Sequence, residues 1–372
     1  MSVPSTPGTP SNTSRTRRWP AVLALAISLP LLGASPVAAA PQAVAQAAAP
    51  AVVAPQAAKK KATSLRVGSF NIRCANCSIT SRTNSREKRW ETRRAKVISQ
   101  LKAEKVDVVG LQEASQGLLS GTKISQFEDL ANRLGGGYRL VNAKRYPCAK
   151  DTSYKNCDRV NNGASSGVRI IYDSDRLTVR DQGSKQLDDE ALNSGPRFVA
   201  WAIFRDKKDK REFFFATAHT EPGQSAAARA LRKKQAGMIM ATIRANNPDR
   251  LPVVLTGDFS ASKLTAVNPA YDVILDSDLV IDPLGNSHKM KTTAKATAKK
   301  LINIKYDSLN KFNAKPTSRK NYAIGANVDY IFTSKSIKVS EYKVVLNLKS
   351  NGKYSGTIPS DHHLLRATIL LP

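Results

Sequence analysis

The chain has 372 residues, a length that allows either two domains or one large α/β domain. Its 58 Lys and Arg residues outnumber 29 Asp and Glu residues and give a net charge of +29. This surplus predicts a polyanionic partner such as a nucleic acid, although solubility in a secreted environment or adhesion to an anionic cell surface would also account for it. The apolar run from Trp19 to about Leu32 is shorter than the roughly 20 residues of a membrane span, which argues against a membrane anchor.

Residues 1–45 have the pattern of a secretory signal peptide. Three arginines, ending at Arg18, precede the apolar run, and small residues with Ala-x-Ala spacing follow it. Residues 46–63 are rich in Ala, Pro, Gln and Val and end in lysines, a composition that cannot form a core, so they predict a flexible leader. We therefore expect a secreted, extracellular protein, monomeric and without stable membrane insertion after cleavage, whose folded body is residues 64–372.

The body contains four cysteines, and an oxidising compartment lets cysteines pair. Cys148 and Cys157 flank a short polar stretch and predict one disulfide. Cys74 and Cys77 form a C-x-x-C motif after the first predicted strand, which is open to three interpretations: a tight disulfide, half of a zinc site or a redox pair. We favour the disulfide because no second C-x-x-C or His pair stands at zinc spacing and no thioredoxin-like context surrounds the motif.

Strand and helix patterns alternate through the body. Helical spacing predicts helices at Arg86–Glu104 and Gln126–Leu134, and a third that Ser225 caps and that runs to about Ala245. Period-two alternation and short apolar runs predict strands at Leu65–Ile72, Val106–Leu111, Tyr138–Val141, Val168–Tyr172, Phe198–Phe204, Phe213–Ala218, Leu251–Thr256, Val328–Thr333, Ile337–Leu346 and His363–Leu371. This mixture predicts a layered α/β sandwich.

Basic residues are concentrated in three clusters, Arg82–Arg94, Arg229–Lys234 and Lys289–Lys320. The last cluster has ten Lys or Arg residues and a single acid, Asp307. Because this stretch is long and polar, it predicts an exposed basic insertion at residues 289–320 that is partly disordered.

Carboxylates and an amide stand where predicted strands give way to loops, the place where active sites gather on sheet scaffolds. Glu113, Asp258 and Asp361 supply carboxylates, and Asn71 supplies a neutral carbonyl. Oxygen ligands of this kind suit a hard divalent cation, Mg²⁺ first, with Mn²⁺ or Ca²⁺ as alternatives. One such carboxylate alone would be an ordinary solvated acid, but four such groups placed at strand ends predict a metal site.

Three of the four histidines also lie at strand ends. His219 and His362 are the candidates for acid and base catalysis, because an imidazole transfers protons near neutral pH. Asp329 lies in an apolar stretch, where a carboxylate needs a partner, and an imidazole that it orients is the natural one.

The order and type of these motifs resemble the endonuclease/exonuclease/phosphatase family, which has the DNase I-like fold. The resemblance covers about Leu65 to Leu371. It rests on six strings in the family's order: SFNI at 69–72, GLQEAS at 110–115, ATAHTEPG at 216–223, VLTGDFS at 254–260, VDYIF at 328–332 and SDHH at 360–363.

The resemblance implies a four-layer α/β/β/α sandwich with the active site at one edge. It implies that Glu113 is a principal metal ligand, that Asn71 contributes and that Asp361 lies close to the metal. Asp258 would position or activate the attacking water. The resemblance further implies a catalytic histidine paired with an aspartate, His362 with Asp329, and a histidine that donates to the phosphate or the leaving group, His219.

One position departs from the family pattern. Where the family has Asn two residues after the Asp of its Gly-Asp pair, this chain has Ser260. A hydroxyl reaches less far than an amide, so orientation of the phosphate by Ser260 and Asn71 is expected to be weaker.

The charge and predicted export favour a nuclease that hydrolyses DNA or RNA. A phosphomonoesterase or a lipid phosphodiesterase of the same fold is the alternative, although no apolar hairpin suited to a membrane stands out. An alternative of another class is a non-catalytic protein that binds polyanions.

Overall fold

The computed structural model describes residues 63–80, 82–141, 143, 167–188, 195–265, 268–288 and 291–372. The expected signal peptide and nearly all of the leader lie outside these residues, and so does the expected pairing of Cys148 with Cys157. Within the described part of the chain, no helix is both long enough and apolar enough to cross a membrane.

Seven strands form the first sheet, in the spatial order β3-β4-β2-β1-β12-β11-β9. The central strands β1 and β2 are parallel, so the ends that carry SFNI and LQEA lie side by side. The bounds are β1 Ser64–Asn71, β2 Val108–Gln112, β3 Tyr138–Val141, β4 Arg169–Asp173, β9 Lys300–Ile302, β11 Lys338–Val344 and β12 Leu365–Leu370.

Five strands form the second sheet, in the order β10-β8-β7-β6-β5. Here β7 and β8 are parallel and β10 runs antiparallel to β8. The bounds are β5 Leu177–Asp188, β6 Arg197–Asp206, β7 Glu212–His219, β8 Val253–Asp258 and β10 Asp329–Thr333.

Helices cover the outer face of each sheet. Helix α2 presents buried Trp90, Val97 and Leu101 to the first sheet, and α4 packs Ile239 and Ile243 against the second. A third apolar cluster fills the space between the sheets. The predicted α/β/β/α sandwich is therefore confirmed. The helix bounds are α1 Cys77–Thr80, α2 Trp90–Glu104, α3 Gln126–Leu134, α4 Ala226–Ala245 and α5 Pro269–Asp276.

The two sheets are in close contact at Gly110 of β2. A Cβ atom at Gly110 would lie 2.3 Å from the hydroxyl oxygens of Thr217 and Thr256 on the other sheet, so only glycine fits there. Two residues further along the chain, the Gln112 Nε2 donates to the Thr217 Oγ1 at 2.8 Å. This contact brings the polar ends of β1 and β2 against those of β7 and β8.

Most described residues of the predicted basic insertion at 289–320 are exposed, but part of the segment is built into the fold. Residues 300–302 form β9, which pairs with β11, and Phe312 and Ser308 are completely buried. Most lysines of this segment are exposed to solvent. Its composition is therefore typical of a loop, although part of its backbone belongs to the fold. The sequence patterns also did not predict the edge strand β5, which is largely polar, or the short helix α5.

Candidate active site

Strand register places the candidate residues at one edge of the sandwich. Asn71 ends β1 opposite Gln112 of β2, so Glu113 follows directly beside it. On the second sheet Asp258 lies in register with both His219 and Asp329. Residues that are widely separated in the sequence therefore meet because parallel strands end at the same edge.

Asn71 connects the two sheets. Its Nδ2 donates to Glu113 Oε1 and to Asp258 Oδ2, both at 3.0 Å, and its Oδ1 accepts from the Arg73 backbone amide at 3.0 Å. The completely buried amide thus holds two carboxylates of different sheets at a fixed separation. In this arrangement Asn71 acts on them as a hydrogen-bond donor.

His362 and Asp329 form a buried ion pair. The His362 Nδ1 donates to Asp329 Oδ2 at 2.8 Å, and its Nε2 lies 3.7 Å from Asp258 Oδ2. Burial disfavours the imidazolium, but the carboxylates of Asp329 and Asp258 overcome it and hold the pKa of His362 well above its ordinary value. His362 is therefore protonated at neutral pH.

His219 has the opposite electrostatics. Its Nε2 is 3.5 Å from Asp258 Oδ2. Burial, and then the positive charge of Arg197, hold the pKa of His219 well below its ordinary value, so this imidazole is neutral. The sequence patterns missed Arg197, the first residue of β6, which lies 3.7 Å from Glu221. The available signal was a charged residue at the start of a buried strand.

Asp258 accepts hydrogen bonds at both of its carboxylate oxygens. Beyond Asn71, the backbone amide of Ser260 donates to its Oδ1 at 2.8 Å, and the Ser260 hydroxyl lies 3.4 Å from the same oxygen. Burial and the nearby Asp329 raise the pKa of Asp258 to about 6. A carboxylate with this pKa can gain and lose a proton near neutral pH, which suits a general base.

Glu113 is the acidic side chain of the site that reaches the cavity. It is 21% exposed, accepts from the Cys74 backbone amide at 3.2 Å and lies 3.9 Å from the Arg73 guanidinium. Burial opposes its charge, but the Asn71 hydrogen bond and the Arg73 guanidinium lower the pKa of Glu113. It is therefore ionised at any ordinary pH.

Asp361 completes the set at the loop before β12. The Ser360 hydroxyl lies 3.2 Å from Asp361 Oδ1 and donates to the Asn71 carbonyl at 2.7 Å, which ties this loop to β1. Burial and the negative charge of Glu113 raise the pKa of Asp361. Two carboxylates that repel each other supply hard oxygen ligands, which suit a divalent cation.

A cavity of about 440 Å³ opens in front of Glu113. Its walls combine apolar surface with two guanidinium groups and one imidazole. The lining residues are Arg73, Cys74, Cys77, Glu113, Ser115, Gly167, Val168, Gly195, Pro196, Arg197, Phe198, His219 and Pro222.

The loops of the site hold unusual backbone conformations. Arg73, Glu113 and Ser260 have φ angles of 55°, 55° and 50°, the left-handed region that side chains other than glycine and asparagine rarely adopt. Each conformation costs on the order of 1 kcal/mol, and such residues cluster at functional sites. Their neighbours therefore hold these three loops in place.

The sequence patterns missed Arg93, which is completely buried beneath the site. Its guanidinium donates to the carbonyls of Ile72 at 2.9 Å, Pro359 at 2.7 Å and Arg73 at 3.0 Å. These bonds join the loop after β1 to the loop that carries Asp361 and His362. A charged residue on the apolar face of a predicted helix was the signal for this role.

The Cys74 and Cys77 sulfurs are in contact and their Cα atoms are 5.2 Å apart, a separation that a disulfide spans. The same two residues and Glu113 have ligand atoms within 4.8 Å of one another. The C-x-x-C motif thus lies in the wall of the cavity.

The sequence model of the Endonuclease/Exonuclease/phosphatase family matches residues 68–362. The chain belongs to this family, whose members hydrolyse phosphoesters. None of the curated proteins compared with the chain matches it.

Solved structures share the fold at low identity. A family protein of Bacteroides thetaiotaomicron is 21% identical with a TM-score of 0.62, covering 83% of this chain and 96% of its own. A mannosyl-6-phosphatase of the same organism is 20% identical with a TM-score of 0.58, covering 82% and 100%. TDP2 of D. rerio, complexed with a single-strand DNA product, is 15% identical with a TM-score of 0.50, covering 82% and 99%.

Proposed function

We propose that the protein is a secreted, metal-dependent phosphodiesterase that hydrolyses nucleic acid. The observation that carries this proposal is the position of Asp258, whose Oδ2 lies 3.5 Å from neutral His219 and 3.7 Å from protonated His362. A carboxylate base between one neutral and one protonated imidazole can support in-line attack by water on a phosphoryl group.

Each residue then has a role that follows from its charge. Asp258 accepts the proton of the attacking water, and the imidazolium of His362, oriented by Asp329, donates to a phosphoryl oxygen as negative charge develops there. His219 in its neutral form offers one N–H donor to the phosphate or the leaving oxygen. Ser260 orients the phosphate, and Asn71, which was expected to share this role, instead fixes the Glu113 and Asp258 carboxylates.

Glu113 and Asp361 are the residues that would hold the cation, Mg²⁺ first and Mn²⁺ or Ca²⁺ as alternatives. The Asn71 oxygen, expected as a further ligand, accepts from the Arg73 backbone amide, and Asn71 supports the site through its hydrogen bond to Glu113. Such an ion neutralises charge on the phosphoryl oxygens. Glu113 suits this role because it is ionised and partly exposed to the cavity.

Net charge supports nucleic acid as the substrate. Loss of the three signal-peptide arginines leaves a charge of +26, which attracts phosphate backbones over long distances, and the structural neighbour TDP2 was solved with a DNA product. The second candidate is hydrolysis of a small phosphomonoester. The mannosyl-6-phosphatase neighbour and the cavity beside Glu113, which has room for one compact group, favour it.

Export is part of the same proposal. The basic residues and apolar run near the N-terminus support a signal peptide, and the contact of the Cys74 and Cys77 sulfurs supports a disulfide formed outside the cell. The secreted protein is expected to act as a monomer.

Hydrolysis by the purified mature protein tests the proposal. Plasmid DNA, RNA and mannose 6-phosphate are incubated with Mg²⁺, Mn²⁺, Ca²⁺ or chelator, using wild type, Glu113→Gln, His362→Ala and the surface control Lys208→Gln. Nucleic-acid cleavage that chelator and both site substitutions abolish, with the control unaffected, is the expected result. Hydrolysis of mannose 6-phosphate alone would establish the second candidate. Binding of nucleic acid without any hydrolysis would identify a non-catalytic polyanion-binding protein.

A further inference from the structure

Two of the basic clusters are far apart in sequence but adjacent in the fold. The Asn84 Nδ2 donates to the Lys311 carbonyl at 2.8 Å, and the Arg86 Nε donates to the Phe312 carbonyl at 2.7 Å. Phe312 is completely buried, and the Arg93 guanidinium lies over its ring, 5.9 Å from the ring centre. Residues 82–89 and 311–320 therefore form one surface with a fixed core under it.

A third basic segment joins this surface. The Tyr354 backbone amide donates to the Ala314 carbonyl at 3.2 Å, and the Tyr354 hydroxyl lies 2.6 Å from His363 Nε2. The turn at residues 349–353 thus packs against 311–320. We name the exposed cations of the three segments the basic rim: Arg82, Arg86, Lys88, Arg89, Lys311, Lys315, Arg319, Lys320, Lys349 and Lys353.

The basic rim touches the active site directly. The Asn310 and Lys311 backbone amides donate to the Asp361 carbonyl at 2.5 Å and 3.1 Å, and the Asn310 side chain donates to the Ser360 carbonyl at 3.0 Å. Asp361 immediately precedes His362, so the rim contacts the loop that carries the catalytic imidazole.

Two acids compensate the charge of the rim. Within the described segments 82–89, 311–320 and 349–353, the one acid is Glu87, which is completely buried and paired with Arg73 at 2.9 Å. Outside these segments, Asp307 pairs with the rim residue Arg319 at 3.1 Å. Phe312, the aromatic residue of these segments, is completely buried. A surface of many cations whose aromatic residue is buried favours contacts with phosphates over stacking on bases.

We propose that the basic rim binds the phosphate backbone of a nucleic acid and positions the strand for cleavage at Asp258 and His362. This inference rests on the proposed nuclease function. Contacts of this kind neutralise phosphates without reading sequence and are strongly salt-dependent.

The test is a matched pair of triple variants. Lys315→Gln, Lys320→Gln and Lys353→Gln remove rim charges from exposed side chains. Lys102→Gln, Lys208→Gln and Lys210→Gln remove the same charge elsewhere, with two of the three on the β6–β7 turn at the end of those strands away from His219. Binding of a labelled DNA duplex is measured by anisotropy in chelator against salt concentration, and hydrolysis of bis(p-nitrophenyl) phosphate is measured with Mg²⁺.

The rim variant is expected to bind the duplex at least about 10-fold more weakly near 0.1 M salt, with the salt slope reduced by about 3. The control variant should bind like wild type, and all three proteins should hydrolyse the small diester equally. Equal loss of binding in both triple variants, or no loss in the rim variant, would overturn the inference. A rim variant that loses binding to anionic lipid vesicles but keeps its binding to DNA would overturn it as well.

The proposed function can fail separately from this inference. Failure of wild type to hydrolyse either the diester or DNA would remove the proposed function, while the binding comparison still decides whether the rim holds DNA.

Discussion

The His362 Nδ1 lies 2.8 Å from Asp329 Oδ2, and the two side chains are only 6% and 0% exposed. An imidazole in this position keeps its proton because the carboxylate stabilises the charge where water cannot. The pair connects the start of β10 on one sheet to the loop before β12 on the other, so it depends on both sheets being in place.

Replacing Asp329 by Asn is expected to lower kcat by about 10²- to 10⁴-fold, because His362 loses its orientation and its charge. The chain supplies a matched control in Asp272, which lies 2.7 Å from His288 at the surface, where the two side chains are 47% and 35% exposed. Asp272→Asn should leave kcat unchanged. Steady-state hydrolysis with thermal melting of both variants makes the comparison, and equal activity of the two would contradict the role of Asp329.

The pH dependence of the reaction is expected to report Asp258. Burial and Asp329 raise its pKa to about 6, and only the ionised carboxylate accepts a proton from water. Activity should therefore be low below pH 6 and rise as pH increases through 6. The measurement is kcat/KM against pH for a small diester at constant ionic strength. A profile that is flat from about pH 5 to about pH 8, a range that spans this pKa, would rule out Asp258 as the base.

The same shift has a cost in stability. Because the folded pKa of Asp258 is raised above its ordinary value of 3.8, its contribution is favourable below about pH 4 and is lost as pH rises through 6. Part of the stability of the fold is therefore given up at the pH where the base is active.

Ser260→Asn is expected to increase activity. Ser260 has a φ of 50°, a conformation that asparagine adopts more readily than serine, so the substitution should not reduce the melting temperature. The longer amide restores the residue that the family pattern has at this position and offers both a donor and an acceptor to the phosphate. The comparison is kcat/KM of Ser260→Asn, Ser260→Ala and wild type. A loss of activity in the asparagine variant would show that the serine is adapted to this site.

Metal binding can be followed without any reaction. If Glu113 holds the cation, saturating Mg²⁺ should raise the melting temperature of wild type, because a ligand stabilises the state that binds it. Glu113→Gln preserves the shape of the side chain and an oxygen that can accept from the Cys74 amide but removes the charge, so its melting temperature should not respond to Mg²⁺. An unchanged response in that variant would assign the cation to other residues.

Most of the architecture was predictable from the sequence, because apolar periodicity is strong in the central strands. The three long helices α2, α3 and α4 and the sheet centre follow from it, and Ser225 caps α4 as expected, accepting from the Ala228 amide at 3.1 Å. Periodicity fails where a strand lies at an edge: β5 has polar residues on its solvent side, and β9 has only three residues.

The candidate site likewise contains some residues that the sequence predicts and others whose roles only the fold reveals. Asn71, Glu113, Asp258 and His362 are visible as polar residues at strand ends, because that position alone distinguishes them. Arg93 and Arg197 stand out in the sequence only as charged residues in apolar elements, and their roles come from partners distant in the chain. The protonation states of His219 and His362 also depend on three-dimensional surroundings, with Arg197 near one imidazole and Asp329 near the other.

Arg93→Lys is expected to destabilise the protein by about 3 kcal/mol, because lysine cannot donate to all four backbone carbonyls that the guanidinium reaches and leaves buried acceptors without partners. The completely buried guanidinium holds the loop after β1 to Pro359, so activity should fall together with stability. Arg133→Lys is the matched control, since Arg133 is 47% exposed and its ion pair with Asp129 contributes at most about 1 kcal/mol. Urea unfolding of the three proteins gives the free energies of unfolding. A difference below about 0.5 kcal/mol between the two variants would show that the carbonyls find other donors when Arg93 is replaced.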